Sequence, residues 1–175
     1  MKSRGTAAAF MTPGRWAVLA LLALVLIVLM LNLYYQWIQS DFSKERRAAE
    51  RLAMAQAGLT TVEQADKFVW DEAVWVVEGN NEAGEHLYAW VTSGGVETTA
   101  AAESFPRNGV KAAVLRDAPG AKLIRIRPGL LDGKKVWEAY YSLDDGSNHH
   151  YYAFYGFDSG EPVATYKLPA RTAGG

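Results

Sequence analysis

The chain has 175 residues, with 18 Lys and Arg against 19 Asp and Glu, a formal net charge of −1 and no cysteine. Without cysteine there are no disulfides, no lipid-modified cysteine anchor and no thiol catalysis. The near-neutral balance argues against nucleic acid as a partner, since neutralising phosphates takes a basic excess on some face.

The first element is apolar. Trp16 to Leu31 holds no charged or amide side chain, and the run continues through Asn32 and Leu33 to Tyr34, Tyr35 and Trp37. At about 1.5 Å per residue, a helix over this stretch reaches roughly 33 Å, enough for a hydrocarbon core of about 30 Å. A lone segment in a bilayer satisfies its backbone only as a helix. Arg15 and Trp16 at one end, and Tyr34, Tyr35 and Trp37 at the other, suit the two interfaces and read as the membrane anchor. Lys2, Arg4 and Arg15 precede the run and no acid does, which predicts a cytoplasmic N-terminus and an extracellular remainder. Lys44, Arg46 and Arg47 on the far flank pull against that orientation. A cleaved signal peptide shares the basic start and apolar core. This run is longer and ends without a small-x-small site, so a retained signal anchor is expected.

The expected boundaries are a leader over 1–14, a transmembrane anchor over 15–37, one small domain over 38–102, a second over 103–169 and a disordered tail over 170–175. The fold class expected is α+β, with two tandem helix-on-meander units after the anchor. All nineteen acids lie beyond the anchor, which makes that part mildly acidic.

In the first unit Ala48, Leu52, Ala55 and Leu59 recur at helical spacing, and Gly58 is a stop signal. Strands are expected over 67–78, 85–93 and 96–101, with turns at Gly79-Asn80-Asn81 and Gly94-Gly95. In the second unit Val110, Ala113 and Val114 form a shorter helical stripe between Pro106 and Pro119-Gly120. Strands are expected over 122–127, 134–142, 149–157 and 162–168, with turns at Pro128-Gly129, Asp132-Gly133, Asp144-Asp145-Gly146 and Asp158-Ser159-Gly160. The units repeat one order: Val74-Trp75 matches Val136-Trp137, and His86 to Val91 matches His150 to Tyr155.

Alternation puts Trp137, Ala139 and Tyr141 on one sheet face and Val136, Glu138 and Tyr140 on the other. Likewise Tyr151, Ala153, Tyr155 and Phe157 oppose Tyr152 and Phe154. One helix covers one face, so the second set of rings is either packed against the other unit or offered to a partner. Tyr140, Tyr141, Tyr151, Tyr152 and Tyr155 are the candidate partner interface. His149 and His150 point apart on a strand and cannot share a metal. No catalytic constellation and no cofactor motif is recognised, and Glu138 is the one acid set among aromatic strands. Lys122, Arg125, Arg127, Lys134 and Lys135 form either a solvated basic face or a contact for anionic wall polymer or lipid.

The anchor, the tandem units, Trp137-Glu138-x-x-Tyr141 and Tyr151-Tyr152 with Phe157-Asp158-Ser159-Gly160-Glu161 resemble the TseB/YpmB-like family, membrane-anchored cell-wall elongation regulators of Gram-positive bacteria. The closing strands are also similar to the PepSY module, with Ser159 in place of its threonine. The second unit fits the pattern more closely than the first. The resemblance implies two cystatin-like or PepSY-like domains facing the wall, association with a class B penicillin-binding protein, and no catalytic residues. Protease inhibition or a chaperone-like role is the alternative that the same folds imply.

Overall fold

The computed structural model describes residues 13–143 and 149–169, with side chains described from residue 16 to 35 and from 41 onward. Residues 1–12 of the expected leader, the tail over 170–175, the Asp144-Asp145-Gly146 turn and the side chains of Arg15 and Trp37 lie outside the described residues, and Pro13-Gly14 of that leader belong to the first helix. The chain divides between Lys44 and Glu45 into two compact units.

Helix α1 (Pro13–Ala57) contributes to both units. In the first unit, Trp16–Tyr35 is long and apolar enough to cross a membrane, and none of it is buried. Its Trp16, Tyr34 and Tyr35 are exposed. Lys44 pairs with Asp41 one turn away. At such exposure that pair contributes little.

The second unit begins with the end of α1, where Gly58 at φ +69° ends the helix in the left-handed region that suits glycine. Then come β1 (Leu59–Val69), β2 (Ala73–Asn81), β3 (His86–Thr92) and β4 (Gly95–Ala100), which form one antiparallel sheet in that order. Helix α2 (Arg107–Asp117) leads into β5 (Ala121–Leu131), β6 (Lys134–Leu143), β7 (His150–Gly156) and β8 (Pro162–Lys167), a second sheet of the same order. The register repeats too: Val77 lies opposite Ala89 as Ala139 lies opposite Ala153.

The structure departs from four of the expectations. Residues 67–78 are not one strand. Trp70-Asp71-Glu72 turn the chain between β1 and β2 without the usual Gly or Pro signal, and the polar start of β1 hid an edge strand. Gly79-Asn80-Asn81 lie within β2, and the turn follows at Glu82-Ala83. Pro128-Gly129 lie within β5, Pro128 opposite Trp137, while Asp132-Gly133 make the turn with both φ positive. On α1 the buried stripe is Ala49 and Ala53; Ala48, Leu52 and Ala55 are exposed. Alanine-rich helix surface gives periodicity little to choose between neighbouring registers.

Both faces of the first sheet are covered. Ala49 and Ala53 of α1 pack on Trp75, Val77, Ala89 and Val91. The other face, Val74, Val76, Tyr88 and Trp90, joins one core with residues of the second sheet and α2. There Phe157 stacks on Trp137, their ring centroids 5.0 Å apart, and meets Tyr88 and Trp90 edge-on. The second sheet keeps Ala139, Tyr141, Ala153 and Tyr155 with α2, whose Asp117 accepts a hydrogen bond from the Tyr155 hydroxyl at 3.2 Å. On its opposite face, Phe68 and Trp70 from the end of β1 sit edge-on to Phe154. The rings left over by one helix are therefore covered largely by the other sheet.

Gly129 marks a close approach between the two sheets. A Cβ there would lie 2.5 Å from the Phe68 ring, whereas one at Gly94 would meet only the Thr92 side chain at 3.6 Å. Gly129→Ala is expected to destabilise the protein by about 1–3 kcal/mol in chemical denaturation, as overpacking does, with Gly94→Ala close to neutral.

Candidate functional site

The second sheet's Glu138 face builds the site. Glu138 is 1% exposed, opposite Arg127 on β5 and Phe154 on β7. Arg127 donates from Nε and Nη2 to the two carboxylate oxygens at 2.9 and 3.0 Å, and Arg125 Nη2 donates to Oε1 at 2.9 Å. A carboxylate this deep is tolerable only with partners of this quality. Arg127 also donates from Nη1 to the Lys67 carbonyl on β1 at 3.1 Å and stands over the Phe68 ring.

Beyond that pair the face opens. Arg125, Tyr140, Tyr152 and Tyr166 lie opposite one another across β5, β6, β7 and β8. Tyr140 stacks on Tyr152 at 4.8 Å and on His150 at 5.4 Å, and Trp70 closes the row against Tyr152 and Tyr166. The Arg125 guanidinium stands over Tyr140 and its side chain is 43% exposed; Tyr166 is 44% exposed.

Of the five tyrosines expected at an interface, only Tyr140 and Tyr152 belong to this row, both half-buried. Tyr141 and Tyr155 are 5% and 3% exposed and belong to the core under α2, a correction to their reading as contact residues. Tyr151 lies on that same far face, half-buried and stacked on Tyr141. Trp70 and Tyr166 were missed. Tyr166 has the parity of Tyr152 once the strands are paired, so it was accessible to alternation; Trp70 comes from the other sheet and carried no local signal.

The basic cluster is not a set of free charges. Arg125 and Arg127 are committed to Glu138, and Lys135 pairs with Glu97 and Thr99 at 3.1 and 3.0 Å. An open groove of about 620 Å³ lies elsewhere, lined by Thr99, Glu103, Lys134, Phe157, Asp158 and Val163 among others. Among the described residues no three His, Asp or Glu side chains stand close enough to hold a metal ion.

A second polar knot ties β2 and β3 to α2. Glu78 accepts from Arg107 Nη2 at 3.0 Å and from the Tyr88 hydroxyl at 3.2 Å, with His86 Nε2 at 3.3 Å. Burial first, then the Glu78 carboxylate, raises the Tyr88 phenol well above its usual value. Burial and then Asp117 do the same for Tyr155. The Arg116 hydrogen bond holds Asp117 below the usual carboxylate range.

These features define an α+β protein with an apolar N-terminal helix and two antiparallel four-stranded sheets. Residues 48–92 match the family described as the cell wall elongation regulator TseB-like domain. That match falls on the end of α1 through β3, the half whose motifs were the weaker ones. The YpmB protein from Bacillus subtilis has the same fold, with TM-score 0.61 and 23% identity over 70% of this chain and 96% of that one. Together these support the TseB/YpmB-like family reading reached from the motifs. A candidate lipoprotein from Clostridium difficile 630 aligns over 69% of this chain and 90% of that one, at 8% identity and TM-score 0.38, too low to carry weight. Among curated proteins no sequence matches significantly.

Two predictions follow from the knots. Glu138→Ala strands Arg127 in the interior and is expected to cost about 3–5 kcal/mol in urea denaturation, whereas Glu138→Leu with Arg127→Met recovers most of the loss. The fold disfavours the ionised forms of Tyr88 and Tyr155, so their contribution is intact below about pH 10 and is lost as pH rises toward their folded values. Replacing both by Phe is expected to flatten the alkaline limb of a stability–pH profile.

Proposed function

We propose that this protein is a membrane-anchored, extracytoplasmic regulator of cell wall elongation that works by binding a class B penicillin-binding protein and performs no reaction itself. The observation that carries the reading is the TseB-like match over 48–92, whose family description names the process. The apolar Trp16–Tyr35 segment supports a single-pass anchor, and the basic leader supports a cytoplasmic N-terminus. The matching strand order and register of the two sheets support two tandem domains descended from one unit. Glu138 is spent on two guanidiniums, which speaks against its use as a general acid on wall polymer. Anchoring confines the search to two dimensions and raises effective concentration, so a modest interface suffices. A protease-inhibiting or chaperone-like role has no specific observation in its favour.

Photo-crosslinking residues at exposed Leu115, Lys134 and Val163, used in intact cells, test this reading. A transpeptidase of the penicillin-binding class is the expected capture, and deletion is expected to alter cell width and elongation. Recovery of unrelated proteins alone, with unchanged cell shape, would falsify it.

A further inference from the structure

We propose that the open part of the Glu138 face, the Arg125–Tyr140–Tyr152–Tyr166 row and the neighbouring Ser142–His150 pair, docks a short extended protein segment rich in Asp and Glu. This rests on the proposed function only in looking for the partner among wall-synthesis proteins.

The ring geometry decides against a flat stacking platform. Tyr140 lies at 28° to Tyr152 and 18° to His150, with centroids 4.8 and 5.4 Å away. Rings stacked on one another spend their faces internally and present edges and polar tips outward. Such a surface suits hydrogen bonding to carboxylates and extended backbone better than it suits sugar rings or bases. Because the stack and Trp70 already hold these rings, little side-chain freedom is lost when a partner arrives.

Charge selects the partner. Arg125 gives Glu138 a single Nη2 contact while Arg127 grips the same carboxylate twice, so Arg125 keeps donors to spare. Beside the row, Ser142 faces His150. Among the described residues, this open part carries no acid. Anionic membrane recognition takes clusters of about 4–8 basic side chains, far more than Arg125 and a histidine provide. Tyr, Trp and Arg are the residues enriched at protein interfaces.

Size sets the scale. Four strands and two side-chain rows make a patch of roughly 14 by 7 Å. That is the anchor point of an interface, not a whole one. A short strand-like segment fits it; a globular face would need more.

The test uses the full chain in cells and in neutral-lipid nanodiscs. A photo-crosslinker at position 166 is compared with one at Val163, and the linked peptide is sequenced. The inference expects a linked peptide rich in Asp and Glu, with yield falling about tenfold in Arg125→Gln and in Tyr152→Ala, and markedly in high salt. Thermal unfolding checks that these variants stay folded. Tyr151→Ala, on the far face, is expected to keep full yield.

An acidic peptide from a protein other than a transpeptidase would sustain this surface and defeat the proposed function. A transpeptidase captured at Val163 or Lys134 but never at position 166 would do the reverse. Equal yields from folded Arg125→Gln, Tyr152→Ala and wild type overturn the inference, as does binding of nanodisc-held protein to phosphatidylglycerol vesicles that depends on the same residues.

Discussion

A buried carboxylate governs how the two sheets meet. Glu138 sits in the middle strand region of the second sheet with no route to solvent, so Arg127 must fold over it. Once there, Arg127 satisfies the Lys67 carbonyl of the first sheet and lies on Phe68. Phe68 in turn rests where Gly129 leaves space and meets Phe154. One desolvated charge thereby joins strand pairing within a sheet to packing between sheets. Such pairs add little net stability over an apolar substitute, but they penalise every arrangement that leaves the charge unmatched.

The same constraint shapes the surface. Arg127 and Phe68 close the inner part of the Glu138 face, and Trp70 closes its edge. What stays open is the outer row, with Arg125 shared between the buried carboxylate and the solvent-facing rings. Structure and surface are thus adjacent rows of one sheet, separated by a single strand repeat of two residues.

Much of this was legible from sequence. Alternation put Glu138 and Tyr140 on one face and Trp137 and Tyr141 on the other, and the observed pairing of β6 with β7 has that parity. The repeat of Val74-Trp75 at Val136-Trp137 reflects equivalent strands of two like sheets. What escaped depended on distance in the chain. Trp70 looked like strand interior although β1 ends just before it, and nothing near Phe68 or Trp70 says that their rings reach the other sheet. Pro128-Gly129 looked like a turn because the reason for that glycine is a ring some sixty positions earlier. The basic cluster looked solvated because the acid that claims two of its members lies on the neighbouring strand, face to face only after pairing.

If the sheets are locked as described, they must lose structure together. Native-state hydrogen exchange on the full chain, followed for amides of β2 and β3 and of β6 and β7, addresses this most directly. The account predicts that the slowest amides of both pairs converge on one global opening free energy and weaken in step as denaturant rises. Two separate plateaus, one sheet opening while the other stays protected, would contradict it.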